Sequence, residues 1–118
     1  MNISFLDKIA LSHYSSIEKQ SMYQMICGAM SVDGDRDPRE LQMVEEIVSL
    51  IGLTPSERQA SRSLDGNTMI RILRSMDDMK KLYLAKFISQ VVLADGKVDP
   101  KEDAFVRYYF DILEIPEI

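Results

Sequence analysis

The sequence has no tryptophan, one histidine and one cysteine, and it holds no apolar run long enough to span a membrane. The single cysteine, Cys27, excludes an intrachain disulfide, which fits a reducing compartment. It stands in the apolar run Met22-Tyr23-Gln24-Met25-Ile26-Cys27-Gly28-Ala29-Met30, where a thiol serves as a small hydrophobe. The single histidine, His13, lies far along the chain from any acidic cluster, which argues against imidazole catalysis and zinc. Positive charge is also scarce. Fourteen Lys and Arg face nineteen Asp and Glu, and the formal net charge of -5 has the wrong sign for a phosphate backbone, so nucleic acid is not an expected partner. No glycine-rich phosphate loop, G-x-S-x-G elbow or C-x-x-C pair occurs. No enzyme is therefore expected. Asp7 and Lys8 interrupt the apolar residues near the N-terminus before a signal-peptide core could form, so a cytoplasmic location is expected, with no transmembrane segment.

What is present is helical periodicity. Of the 118 residues 46% are hydrophobic and 28% charged, a globular balance that suits one domain over 1–118. Leu41, Val44, Ile47, Val48 and Ile51 fall on one helical stripe, and Met69, Ile70, Leu73 and Met76 fall on another. Punctuation at Gly34/Pro38, Gly52/Pro55, Gly66 and Gly96/Pro100 divides the chain into about seven helices. They are predicted near 4–13, 17–32, 38–51, 55–63, 68–75, 77–94 and 100–113, an all-α bundle. The 55–63 segment is nearly all polar, which suggests a surface connector; Leu82–Ala94 carries few polar residues, which suggests a central helix. Eight methionines lie at helical spacing, where they fill a core or line a groove for a partner.

The strongest signal is an internal duplication. Val32-Asp33-Gly34-Asp35-Arg36-Asp37-Pro38-Arg39-Glu40 aligns without a gap on Ala94-Asp95-Gly96-Lys97-Val98-Asp99-Pro100-Lys101-Glu102, with the shared frame D-G-x-x-D-P-[KR]-E. In the same register Ile26 meets Ile88, Val44 meets Val106, Ile47 meets Tyr109, Val48 meets Phe110, Ile51 meets Leu113 and Leu53 meets Ile115. Each unit, about 22–57 and 84–118, is a helix, a tight loop and an amphipathic helix. Neither covers its apolar face alone, so the two should pack about a pseudo-two-fold axis. Helices 17–32 and 77–94 belong at the centre, with Ile26, Ile88, Val44, Val106 and Ile51 buried.

Local chemistry accounts for part of the loop. Asp37 and Asp99 suit the N-cap, Pro38 and Pro100 the first helical position, and Glu40 and Glu102 the third, as in a capping box; Thr54-Pro55-Ser56-Glu57 repeats this grammar elsewhere. Asp33 and Asp95 precede glycines suited to a left-handed helix end, where the macrodipole disfavours an acid. Either an Asx-turn or a ligand explains them. Asp33, Asp35, Asp37 and Glu40 also form an oxygen-rich set of the kind that takes a hard divalent cation, although Pro38 and Val44 occupy the sixth and twelfth positions and rule out an EF-hand. Asp95, Asp99 and Glu102 are the candidate ligands of the second loop, weakened by Lys97 where the first has Asp35.

The duplicated D-G-x-x-D-P-[KR]-E loop after an apolar helix ending in Val32-Asp33 or Ala94-Asp95, with the opening Ser4-Phe5-Leu6-Asp7-Lys8, resembles the TerB-like tellurite-resistance family. The likeness spans about Met22 to Ile115. It implies a compact fold of about seven helices, a non-enzymatic role in stress-response complexes at the inner face of the membrane, and a divalent cation (calcium, magnesium or manganese) held by acidic residues after the central helices. Carried over by position, those residues are Asp33, Asp37 and Glu40, and Asp95, Asp99 and Glu102. Lys97, and Asp103 in place of Leu41, depart from a symmetric pair of sites. The expected function is an interaction module whose acidic face, with Asp33, Asp35, Asp95 and Asp103, docks a protein partner. The alternative is a cation-binding module using loops 33–40 and 95–102.

Overall fold

The computed structural model describes residues 13–31, 37–94, 96 and 99–116. Every regular element among them is helical: α1 (Ser16–Ser31), α2 (Pro38–Ile51), α3 (Pro55–Ser61), α4 (Gly66–Ser75), α5 (Asp78–Val92) and α6 (Pro100–Ile112). The ends differ from the periodicity by two residues or fewer, as expected where helices fray. The predicted 4–13 helix lies outside the described residues except for His13, which is exposed in a turn.

Short polar side chains start these helices by satisfying amide groups that have no partner within the helix. Thr54 and Glu57 form a full capping box at α3, each accepting from the other's backbone N–H at 3.1 and 2.9 Å. Ser15 and Glu18 exchange the same pair of bonds at α1, a box the sequence reading did not name. Asp37 Oδ1 accepts from Arg39 N, and Asp99 Oδ1 accepts from Lys101 N and Glu102 N, so both motif aspartates cap as expected. Asp65 and Asp77 cap α4 and α5 in the same way.

Helices α1 and α5 pack on each other at the centre, and α2 and α6 each lie against both. Exchanging α1 with α5 and α2 with α6 leaves this set of contacts unchanged, as the duplication requires. Met22, Met25, Ile26 and Ala29 of α1 meet Leu84, Phe87, Ile88 and Val91 of α5 in a core closed by Val44, Ile47, Ile51, Leu73 and Leu113. Ile26, Ile88, Val44 and Ile51 are buried as expected, but Val106 is only half-buried, because the outer side of α6 meets no further helix among the described residues. Helix α3 rides on the surface as expected, with only Ser61 buried, but it packs along α1 and its polar residues make specific contacts. Five methionines fill the core (Met22, Met25, Met30, Met69 and Met76), whereas Met79 is 59% exposed.

Candidate docking groove

The two repeats agree down to individual hydrogen bonds. Leu53 N donates to Val48 O and its equivalent Ile115 N to Phe110 O, both at 3.0 Å. Gly52 N donates to Ser49 O, and Glu114 N to Asp111 O. Lys19 Nζ donates to Gly52 O at 3.1 Å, and Lys81 Nζ to Glu114 O at 3.5 Å. Even the backbone turn is shared: Gly52 has φ 70° and Glu114 has φ 56°, both left-handed. The two repeats thus share the hydrogen bonds and the left-handed turn that end their amphipathic helices.

The surroundings are not. In the first repeat, the outer side of α1 and α2 is covered by α3. Arg58 of α3 donates through Nε to the Tyr23 hydroxyl at 2.8 Å, lies over that ring at 5.0 Å, and forks onto the Glu45 carboxylate. Gln24 Nε2 donates to Leu64 O just past α3. Glu57 meets the Lys19 ammonium at 3.0 Å. Burial alone would raise the Glu57 pKa, but hydrogen bonds from Ser16 and the Thr54 N–H and the charge of Lys19 outweigh it and bring it down to about 2.

In the second repeat no helix among the described residues packs on this face as α3 does in the first. Met79, Leu82, Tyr83, Val106, Phe110 and Ile115 line a groove of about 1100 Å³ between α5 and α6, with Lys86, Arg107, Asp111 and Glu114 around it. Ala85, Lys86 and Arg107 stand where Tyr23, Gln24 and Glu45 receive α3. Arg107 is held by Asp103 at 2.9 Å, one turn away on the exposed surface, a weak tie. An apolar concave surface with a few polar groups at its edge is the usual form of a binding site. The sequence reading missed it. The available signal was an excess of apolar residues on α5, where Met79, Leu82 and Tyr83 fall outside the core stripe of Leu84, Phe87, Ile88 and Val91.

The residues expected to form an acidic site are dispersed in role. Asp33, Asp35 and Asp95 lie outside the described residues. Asp37 and Asp99 cap helices, and Asp37 also takes the Arg39 guanidinium at 3.0 Å. Glu40 and Glu102 are interior, 1% and 2% exposed, although a helix-start glutamate ordinarily faces water. Asp103 pairs with Arg107 at 2.9 Å on the surface. Asp99, Glu102 and Asp103 do line one small hollow of about 130 Å³. Among the described residues, however, no three His, Cys, Asp or Glu are arranged to hold a metal ion. Cys27 is half-buried beside Tyr23, consistent with a packing role. No helix among the described residues is long and apolar enough to cross a membrane.

A duplicated all-helical fold with an apolar groove between two of its helices defines a class of small helical modules. Within that class the chain is TerB-like: residues 61–118, which hold α4, α5, α6 and the whole groove, match the family described as tellurite resistance protein TerB. The fold is also similar to the crystal structure of a protein of unknown function from Porphyromonas gingivalis W83, with a TM-score of 0.77 over 89% of each chain at 20% identity. A comparison with curated proteins finds no match.

Proposed function

We propose that this chain is a non-enzymatic interaction module of a tellurite-resistance-like stress-response complex, and that it receives a protein partner in the groove between α5 and α6. The observation that supports this is the contrast between the two repeats: the same helix pair is covered by α3 in one and open in the other. An acidic docking face is the weaker version of this reading, since Asp103 is tied to Arg107 and the other three carboxylates lie outside the described residues. With no membrane-crossing helix among the described residues, contact with the inner face of a membrane would come through the partner. The test is a photo-crosslinking amino acid placed at Leu82 in the groove and, as a control, at exposed Arg62, in cells under tellurite stress. The expected result is a discrete adduct from position 82 that Phe110→Asp removes. An identical adduct pattern from both positions sinks the groove.

A second reading, divalent-cation binding by loops 33–40 and 95–102, takes up the burial of Glu40 and Glu102 at equivalent positions of α2 and α6. Melting of chelator-stripped protein with and without calcium, magnesium or manganese tests it. Binding would add about 2.7 kcal/mol at a free ion concentration a hundred times Kd, and Asp33→Asn would abolish the gain. An unchanged melting temperature in all three ions removes this reading.

A further inference from the structure

We infer that the partner received in the α5/α6 groove is a second copy of this chain, docked about a two-fold axis at Phe110 so that Lys86 of each copy meets Asp111 of the other. This rests on reading the groove as a docking surface and deepens it by naming the occupant. The ground is the order of charges along the groove. Helices α5 and α6 run in opposite directions: Lys81 near the start of α5 donates to the carbonyl of Glu114 just past α6, and Ser89 and Val106 share the small hollow at the other end. The basic residues at the rim, Lys86 and Arg107, therefore lie toward the Ser89 end, and the acidic ones, Asp111 and Glu114, lie toward the opposite end.

A surface with both signs in this order is complementary to itself. After a half-turn about an axis normal to the groove, the basic end of one copy lies over the acidic end of the other, and the contact closes as a symmetric pair, the commonest form of assembly. The helical rise sets the register. Counting from the level of Ser89 and Val106 at ~1.5 Å per residue, Lys86 stands about 4.5 Å and Asp111 about 7.5 Å along the groove, so an axis about 6 Å along brings the two together. That is the level of Phe110, which then meets its own counterpart. The same half-turn carries α5 of one copy over α6 of the other, the helix that bears Asp111.

Lys86 and Asp111 are both exposed, and none of the ion pairs among the described residues includes either. Arg107 and Glu114 are engaged within their own copy by Asp103 and Arg74, so the first pair carries the contact. With a formal net charge of -5 two copies repel as wholes, and a rim of two cations and two anions lets them meet at this face without opposing like charges. The walls are two helices of 15 and 13 residues. A contact of that size falls at the low end for specific interfaces, so the dimer is a weak one, with a Kd of about 0.1 mM, and at micromolar concentration the groove holds no second copy.

The experiment is sedimentation equilibrium of the full chain at low ionic strength, over concentrations from about 0.01 to about 1 mM. Wild type is expected to pass from monomer to dimer across this range. Lys86→Glu and Asp111→Lys should each weaken self-association about tenfold or more, because in a symmetric dimer each sets like charges against one another twice. Mixed in equal amounts, the two variants should dimerise again: the mixed pair sets the introduced carboxylate against the introduced ammonium and the remaining Lys86 against the remaining Asp111. Phe110→Asp should abolish the dimer, and circular dichroism checks that every variant keeps its helices. A wild type that stays monomeric at the highest concentration overturns the inference but not the groove reading, which then stands or falls on the adduct from position 82. Dimers that survive Phe110→Asp place the contact elsewhere and overturn it as well. A mixture of the two charge variants that stays monomeric overturns the pairing of Lys86 with Asp111.

Discussion

The first repeat is a finished structure and the second an open one, although their backbones follow the same course. Around α1 and α2, several side chains have partners on α3 or just past it: Tyr23 and Glu45 take Arg58, Lys19 takes Glu57, and Gln24 takes the Leu64 carbonyl. Around α5 and α6, the equivalent positions hold Ala85, Arg107, Lys86 and Lys81, and the first three line an apolar groove. Divergence has been concentrated in the surface that meets a third helix, while the packing of the four central helices has been kept. A protein that only needed to fold would gain by covering Leu82, Phe110 and Ile115. Their exposure on one copy and the covering of the other is the pattern expected when one repeat supplies stability and its twin supplies a surface.

The comparison can be broken most sharply at Val44 and Val106, equivalent residues in the covered and open repeats. Val44 is buried and Val106 is half-buried in the groove wall. Val44→Asp should cost several kcal/mol, enough to exhaust most of the stability of a small domain, because the carboxylate enters the core without a partner. Val106→Asp should leave a folded, cooperatively melting protein, with a loss of about 1 kcal/mol, since its carboxylate can turn to solvent. Urea unfolding of both variants checks this. Equal losses at the two sites would mean that the groove is covered in solution.

A smaller effect is expected from acid. Glu57 falls from the ordinary value of 4.5 to about 2 in the folded chain, so the folded state favours its ionised form. The sign follows: the stabilisation is complete above pH 4.5 and is lost as the pH falls from there toward 2. Its size should be about 1 to 2 kcal/mol, less than the full shift would give, because the pair sits near the surface and is screened. Glu57→Gln should flatten the acid limb of a stability curve in that window. Lys81→Met, a change at the counterpart of Lys19 in the second repeat, should leave the acid limb intact.

How much of this was legible beforehand follows the same division. The duplication, the caps at Asp37, Asp99 and Thr54, and the central pairing of Ile26 with Ile88 depend on periodicity and local hydrogen bonding, and they could be read from the sequence. Val106 was misjudged because the register placed it opposite Val44, and register says nothing about whether a third helix arrives. Glu40 and Glu102 were read as helix-start residues. Their burial depends on how α2 and α6 pack against the central helices, which is a tertiary fact. The covering role of α3 was hidden for a related reason: its polar residues look like a solvated face until Arg58 is seen against Tyr23 and Glu45. Of the expected site, Asp33, Asp35 and Asp95 lie outside the described residues, while Asp37, Asp99 and Asp103 have local partners.

The finest comparison concerns the residue that ends each amphipathic helix. Gly52 and Glu114 both adopt positive φ, 70° and 56°, but only glycine does so without strain. A Cβ added at Gly52 would meet no atom within 4 Å, so Gly52→Ala tests the backbone alone. It should cost about 1 kcal/mol, the left-handed penalty of about 1 to 2 less the entropy that alanine removes from the unfolded chain. At Glu114 the change runs in reverse. Glu114→Gly relieves the strain but loosens the unfolded chain and removes the exposed pair with Arg74, so the net gain should be only a few tenths of a kcal/mol. Glu114→Ala removes the same pair and keeps the strain. The difference between these two variants therefore isolates the backbone contribution, and it should match the Gly52→Ala cost to within about 0.5 kcal/mol if the two helix ends are equivalent. Thermal melts of the three variants against wild type supply the numbers. A Glu114→Gly protein no more stable than Glu114→Ala would show that the second repeat does not hold the left-handed turn in solution, and that the two helix ends are not equivalent.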